Sequence, residues 1–181
     1  KYIYIYSQAT LSSENRIIRA DEPNAAFKVF QPRIKNVLYD IDHANDHFYI
    51  RTNNDKATNF KIMTCTQEKT DTSNWKEMIA HSDSILIEGI DLFNGHVAIS
   101  ERKNGLTQIH VINTKTNQHH YLDFGEATYA AYLGSTPEYN TDVVRYNYTS
   151  LTTPASVYDY NMTTKEKKLM KQQEVIGTFK P

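Results

Sequence analysis

Short stretches of alternating apolar and polar residues run along the whole chain, separated by loops rich in Asn, Asp, Ser and Thr. The clearest example is residues 146–161, which read YNYTSLTTPASVYDYN. Aromatic and β-branched residues, which favour strands, stand at both ends of this stretch. Pro154 lies in the polar segment between them and cannot donate a hydrogen bond to a sheet. The pattern predicts an antiparallel hairpin with a loop of several residues.

The same hairpin pattern recurs three times upstream. Equivalent apolar residues are Ile3, Phe48, Val97 and Val144, and the intervals between them are 45, 49 and 47 residues (48 − 3, 97 − 48 and 144 − 97). A repeat of about forty to fifty residues, with four short strands in each, is typical of β-propeller blades. The sequence therefore predicts an all-β fold built from four-stranded antiparallel sheets.

Blade boundaries follow from this repeat. Residues 1–30 are predicted to form three strands of an incomplete blade, with a turn over the polar run at residues 7–13, and complete blades are predicted at 37–80, 85–124 and 129–172. Propellers close with about four to eight blades, so this partial propeller of about three and a half blades leaves the flanks of its end blades bare. We therefore expect the chain to associate with itself.

The apolar residues of the predicted strands should supply the core, because a propeller blade buries both faces of its sheet against its neighbours. The predicted core residues are Tyr39, Ile41, Phe48, Ile50, Ile87, Ile90, Val97, Ile99, Ile109, Val111, Tyr146 and Tyr158.

Composition narrows the function classes. The 181 residues indicate one domain, and a net charge of −1 gives no reason to expect binding to nucleic acid or to an anionic membrane. No apolar run approaches the roughly 20 residues of a membrane span. Cys65 is the single cysteine, which excludes an internal disulfide and fits a reducing, cytoplasmic location. Because the chain begins at Lys1 directly on a predicted strand, without a leader, we expect it to be an excised piece.

Five stretches of the chain together carry a resemblance to a known family: SERKNGLTQIHV, YLDFGEATYAAYLGSTPEYNTDVVRYNYTSLTTPASVYDYNM, KLMKQQEV, RADEPNAAFKVFQPR and FYIRTNNDKATNFKIM. They resemble the propeller of the prolyl oligopeptidase family of serine peptidases, and most of all its oligopeptidase B branch. The resemblance covers nearly the whole chain and includes long ungapped runs.

The resemblance implies a seven-bladed propeller that caps an α/β-hydrolase domain carrying a Ser, Asp and His triad. Members of this branch cut short peptides after Arg or Lys, and the propeller excludes large substrates. The chain then corresponds to the second half of the propeller, with the catalytic hydrolase domain absent and no cofactor required. Its implied partners are that C-terminal hydrolase domain and oligopeptide substrates. The alternative is an autonomous propeller-like module that binds a protein.

The chain itself carries no recognisable catalytic machinery. A nucleophile elbow, G-x-S-x-G, exposes its serine on a turn between a strand and a helix. Ser135, in LGSTPEY, lacks the second glycine of that motif, and its surroundings do not predict a helix. We therefore expect this fragment to be inactive and assign it no catalytic residue, although the full-length protein should be a serine-type peptidase.

Metal binding and thiol chemistry are not favoured either. His119 and His120 are adjacent on a predicted strand, so their rings should point to opposite faces and could not share a metal ion. Cys65 lies within a predicted strand, where a packed thiol is the more common role. We expect no metal site.

One binding hypothesis comes from the first strand of each blade, which lines the central channel of a propeller. These strands carry Asp40, Asp42, Glu88 and Asp91. An acidic channel would attract peptides with basic residues. The alternative is that the four are ordinary outward-facing or loop-end carboxylates.

Overall fold

The computed structural model describes residues 1–177, and the fold is all-β, as predicted. Fifteen strands form four antiparallel sheets, and no α-helix occurs in the described residues. The chain divides into two compact units, Lys1–Leu86 and Ile87–Pro181.

The first unit contains sheets A and B. Sheet A consists of β1 (Tyr2–Ala9), β2 (Ser12–Arg19) and β3 (Lys28–Val29), in that order. Sheet B consists of β4 (Tyr39–Ala44), β5 (His47–Thr52), β6 (Lys61–Thr66) and β7 (Lys76–Ile79), with a single 3-10 turn at Thr72–Asn74 before β7. Each strand pairs with the next one along the chain, which is the arrangement of a propeller blade.

Sheets C and D make up the second unit, apart from the first two residues of sheet C. Sheet C consists of β8 (Ile85–Phe93), β9 (His96–Lys103), β10 (Leu106–Asn113) and β11 (Gln118–Tyr121). Sheet D consists of β12 (Tyr129–Leu133), β13 (Val143–Ser150), β14 (Ser156–Asn161) and β15 (Lys167–Gln172).

Tight turns set the register of several hairpins. Asn104 and Gly105 join β9 to β10, and both have a positive φ, 52° and 80°. A two-residue turn of this kind matches the natural twist of antiparallel strands, and Asn–Gly tolerates it best. As a result Lys103 pairs with Leu106, and Glu101 stands opposite Gln108.

The predicted turn at residues 7–13 is wrong in extent. Strand β1 continues to Ala9 and β2 starts at Ser12, so that only Thr10 and Leu11 form the turn. The polar residues belong to the strands because they serve specific contacts there. Ser13, which is fully buried, donates through its hydroxyl to the Tyr39 carbonyl at 2.9 Å.

Each unit has its own core of apolar side chains from its two sheets. The first is formed by Ile17, Phe30, Tyr39, Phe48, Ile50, Met63, Cys65 and Trp75. The second is formed by Phe93, Ala98, Ile109, Val111, Leu122, Ala131, Val144, Tyr146, Tyr148, Tyr160 and Met162. Full burial of one such side chain contributes about 1.5–3 kcal/mol. Of the predicted core residues, Ile41, Ile90 and Tyr158 are only half-buried, and the others are buried.

Candidate functional site

The carboxylate of Asp40 is held by an arginine on the neighbouring strand. Asp40 and Arg51 are direct partners in the β4–β5 register, and Arg51 Nη2 lies 2.6 Å from Asp40 Oδ2. The Arg51 guanidinium also lies over the ring of Phe60, 4.1 Å from its centroid. Because the pair is directly hydrogen-bonded, the positive charge of Arg51 offsets much of the field of Asp40.

Asp42 lies two residues further along β4 and has a different environment. The backbone N–H of His43 donates to Asp42 Oδ1 at 2.7 Å. Burial nonetheless raises the pKa of Asp42. Burial also raises the pKa of Tyr4, and the negative charge of Asp42 raises it further. Asp42 is still an exposed residue, so the raised pKa reflects only a partial loss of water around its carboxylate.

In the second unit, Glu88 also has an arginine partner. Arg102 Nε donates to Glu88 Oε1 at 2.8 Å, and its Nη1 donates to the Gly105 carbonyl at 3.2 Å. Asp91 is half-buried and lies three residues from Glu88 in the continuous strand β8. Because side chains alternate along a strand, Glu88 and Asp91 project to opposite faces of sheet C.

The four proposed channel carboxylates are therefore not equivalent. Asp40 and Glu88 form ion pairs that join the first and second strands of their sheets, at 2.6 Å and 2.8 Å. These contacts support a structural contribution, because a paired arginine weakens any attraction for a distant cation. Asp42 is instead bonded to the backbone N–H of His43, and partial loss of water around its carboxylate raises its pKa.

The loop that contains Ser135 does not form a nucleophile elbow. It follows β12, and no helix follows it. Gly134 accommodates the backbone here, since a Cβ on it would approach Arg145 Cγ to 3.2 Å. A strained strand-to-helix turn is what exposes a catalytic serine in such enzymes, and residues 1–177 do not contain one.

No group of three or more His, Cys, Asp or Glu side chains is arranged to hold a metal ion within residues 1–177. His119 and His120 project to opposite faces of β11: His119 lies against His110, whereas His120 Nε2 lies 2.9 Å from the Tyr160 hydroxyl. The part of the chain that the structure describes has no helix long and apolar enough to cross a membrane.

A glutamate that the sequence did not single out organises one end of sheet D. Glu126 accepts hydrogen bonds from the hydroxyls of Tyr148 (2.8 Å), Thr152 (2.9 Å) and Thr153 (2.8 Å). Together with a contribution from Ser150, which is the largest, these bonds lower the pKa of Glu126 to about 2. The carboxylate thereby fixes the loop between β13 and β14.

Beside this loop an open groove of about 640 Å³ runs over the exposed face of sheet D. Its lining is mainly apolar or uncharged, and its charged members are Lys171 and Glu174: Ala130, Tyr132, Asn147, Tyr148, Thr149, Ala155, Ser156, Val157, Lys171, Gln172, Gln173 and Glu174. The groove has the size of a small-molecule site, but it lacks the convergent catalytic groups that a reaction would need.

Comparison with known proteins identifies the architecture. Residues 1–173 match the family model described as prolyl oligopeptidase, N-terminal β-propeller domain. The chain is 42% identical over 177 residues to dipeptidyl aminopeptidase BI from Pseudoxanthomonas mexicana, covering 98% of this chain and 24% of that protein. It is 29% identical over 179 residues to protease 2 from Moraxella lacunata, covering 99% of this chain and 25% of that protein.

Solved structures agree with these sequence relationships. Oligopeptidase B from Trypanosoma brucei, in a closed form with covalently bound antipain, superposes with a TM-score of 0.92 at 26% identity, covering 99% of this chain and 27% of that one. Oligopeptidase B from Leishmania major gives a TM-score of 0.89 at 24% identity, covering 99% and 26%. The predicted partial propeller is thus confirmed, and the chain spans about a quarter of the length of these relatives.

Proposed function

Because this chain belongs to the prolyl oligopeptidase family, as part of its N-terminal β-propeller domain, we propose that it is the non-catalytic propeller portion of a serine peptidase. The observation that carries the proposal is the match to the propeller model over residues 1–173 of the 181. The arrangement of consecutive strands in small sheets supports it. In the longer protein, the partner of the propeller is the C-terminal α/β-hydrolase domain.

The proposed role of the propeller is to cap the active site and admit short peptides while excluding folded proteins. The proposed reaction of the longer protein is cleavage after Arg or Lys in a cytoplasmic setting. A second specificity is favoured by one observation, the 42% identity to a protein named dipeptidyl aminopeptidase BI. An enzyme of that kind would release dipeptides from a free amino terminus.

Two fluorogenic substrates separate these specificities in the full-length protein. The first is an N-terminally blocked peptide amide ending in Arg, and the second is an unblocked dipeptide amide. Turnover of the blocked substrate supports cleavage after basic residues, whereas turnover of only the unblocked one supports dipeptide release. The 181-residue chain should hydrolyse neither substrate, and hydrolysis by the purified chain would refute the proposal that it is the non-catalytic portion.

The capping role has its own test. A disulfide introduced between the propeller and the catalytic domain of the full-length protein should slow entry of a peptide of about twenty residues much more than that of a dipeptide amide, because only the larger substrate needs a wide opening. Reduction should restore the rate. Equal inhibition of both substrates would contradict selection by size.

For the channel hypothesis, we propose that Asp42 is the inner-strand carboxylate that attracts basic peptides, while Asp40 and Glu88 stabilise the sheets. Asp42→Asn in the full-length protein should reduce kcat/KM for an Arg-containing peptide at low salt and flatten its dependence on ionic strength. A neutral peptide is the control substrate. An unchanged salt dependence would assign Asp42, like Asp40 and Glu88, to an ordinary structural or surface position.

Self-association of the isolated chain is proposed through β1. In the described chain this eight-residue strand pairs only with β2, and Ile3, Tyr4, Ile5 and Tyr6 are 37–48% exposed. It contains no charge and no proline, whereas the outer strand β15 carries Lys167, Lys168 and Lys171, which discourage edge pairing.

Light scattering coupled to size exclusion tests this contact. The chain should elute as a dimer or larger species, and Ile5→Lys should shift it toward monomer, while Leu11→Lys at the exposed turn should not. A wild-type monomer would contradict the self-association and would favour the alternative of an autonomous module that binds another protein.

A further inference from the structure

A connected group of titratable side chains lies on one face of sheet C, and none of the four first-strand carboxylates belongs to it. Glu101 on β9 and His110 on β10 are 3% and 6% exposed, although both are polar and ionisable. His110 Nδ1 lies 2.8 Å from Glu101 Oε1, and the Tyr121 hydroxyl donates to Glu101 Oε2 at 2.9 Å. On its far side, His110 Nε2 lies 3.1 Å from His119 Nδ1. The last two partners, His119 and Tyr121, belong to the short outer strand β11.

The hydrogen bonds define where the protons are. A carboxylate only accepts, so the proton between Glu101 and His110 lies on His110 Nδ1. In a neutral His110 the other nitrogen is then a bare acceptor, and His119 must donate to it from Nδ1. The chain Glu101, His110 and His119 is thus ordered from a buried carboxylate to an exposed imidazole.

Adding protons has two different effects. The contact joins His110 Nε2 and His119 Nδ1 at 3.1 Å. With one extra proton on either ring, one of these two nitrogens can still donate while the other accepts. The negative charge of Glu101 is then balanced by one imidazolium. With a second extra proton, both facing nitrogens carry hydrogen, so the bond is lost and two cations oppose each other.

We propose that Glu101, His110 and His119 form a proton-linked latch, which holds β11 on the edge of sheet C at neutral pH and releases it on acidification. Apart from this cluster, β11 makes few contacts. It is four residues long and paired on one side only, with His120 bonded to Tyr160 and Leu122 N–H bonded to the Ile109 carbonyl.

The surrounding charges favour release in acid. On the opposite face of β11, His120 is near Lys165, and the pKa of His120 is lowered by burial first and by Lys165 next. The pKa of His119 is lowered by burial and then by the charge of His110. A histidine whose pKa is lower in the folded state stabilises the fold above its ordinary pKa, near 6.5, and loses that contribution as the pH falls. The window for release therefore lies below pH 6.5.

Ring nitrogen chemical shifts provide the first test, because they report which nitrogen of a histidine is protonated. In the ¹⁵N-labelled 181-residue chain near pH 7.5, both His110 and His119 should carry hydrogen on Nδ1. For a neutral histidine exposed to water the other tautomer is the common one, so this pattern is a specific signature. The Nε2–H tautomer at either residue would overturn the proposal.

Amide hydrogen exchange provides the second test. Between pH 7.5 and 5, the protection factors of β11 amides, corrected for intrinsic rates, should fall by about tenfold or more relative to those at the centre of β9, because two like charges then face each other across the His110–His119 contact. His119→Gln should abolish most of this fall, and His47→Gln, at an exposed histidine outside the cluster, should leave it intact. A fall that persists in His119→Gln, or that is absent from the wild-type chain, would refute the latch.

Discussion

Tyr39 and Asn15 bind each other through both backbone and side chain. The Asn15 N–H donates to the Tyr39 hydroxyl at 2.8 Å, and Asn15 Nδ2 donates to the Tyr39 carbonyl at 3.2 Å. The hydroxyl in turn donates to the Gln31 carbonyl at 2.7 Å. Tyr39 is 1% exposed, so these polar groups have no access to water. The contact joins β4 of sheet B to β2 of sheet A within the first unit.

Tyr39→Phe should destabilise the chain by about 1–3 kcal/mol, because it leaves a buried N–H and a buried carbonyl without their partner. Tyr4→Phe, at a tyrosine that is 37% exposed, should change stability by less than about 0.5 kcal/mol. Urea unfolding followed by circular dichroism measures both. Equal effects would contradict a special role for Tyr39.

A charge in the centre of sheet C should prevent folding. Ile99 is completely buried, so Ile99→Asp would place an unpaired carboxylate out of water at a cost of more than about 4 kcal/mol. Leu151→Asp is the control, because Leu151 is 94% exposed. Circular dichroism should show loss of sheet structure in the first variant only. A cooperative transition of Ile99→Asp at the wild-type urea midpoint would show that this position is not core.

Cys65 should be nearly inert toward alkylation in the folded chain. Burial, with a smaller contribution from Asp71, raises the pKa of its thiol to about 12. Since the thiolate is the reactive species, the rate with iodoacetamide at pH 8 should be at least about a hundredfold lower than for the urea-unfolded chain. Mass spectrometry of timed samples measures this ratio. Similar rates in the two states would mean that the thiol is exposed.

The loop at the end of sheet D should depend on the charge of Glu126. Glu126→Gln retains the shape of the side chain but replaces one carboxylate oxygen with an N–H₂ group, which cannot accept the hydrogen bonds that the hydroxyls donate in the wild-type chain. The loop should therefore be cleaved faster in limited proteolysis. Because the pKa is lowered to about 2, the stabilising effect is present above the ordinary value of 4.5 and is lost as the pH falls toward 2. Proteolysis near residue 151 that is unchanged in the variant would argue against this anchoring.

His96 should make the fold sensitive to mild acid. It is 4% exposed, and its Nδ1 makes no hydrogen bond to the described residues. Burial lowers its pKa, although Asp142, 3.5 Å away, acts in the opposite direction. Stability should therefore be full above pH 6.5 and decline below it. Thermal unfolding of His96→Gln should show a smaller decline between pH 7 and 5 than His47→Gln, and identical declines would exclude a contribution from His96.

Local features of the chain were readable from sequence because they depend on neighbouring residues. The hairpin predicted over residues 146–161 forms from β13 and β14, with Tyr146 opposite Tyr158. Contacts between sheets were not readable in this way. The polar run at residues 7–13 looked like a turn because nothing in it indicates that Ser13 would bond to Tyr39, 26 residues away.

At the candidate site, too, the sequence predicted the position of each residue but not its surroundings. Placing Asp40, Asp42, Glu88 and Asp91 on first strands required only the repeat, but their charge environment required the structure. Arg51 and Arg102 neutralise two of the four because the second strand of each sheet brings a guanidinium within 3 Å. The register of the β9–β10 hairpin is enough to place Glu101 near His110. It does not indicate that both groups are buried.

The sequence by itself determined the strands, their order in each sheet and the family, since these follow from period, turn residues and direct similarity. Tertiary structure alone decided which polar groups are buried, which carboxylates are paired and which strand edge is bare. Such outcomes depend on the packing of one sheet face against another. Burial then sets the free energy of each charge, through loss of water and the distance to its partner.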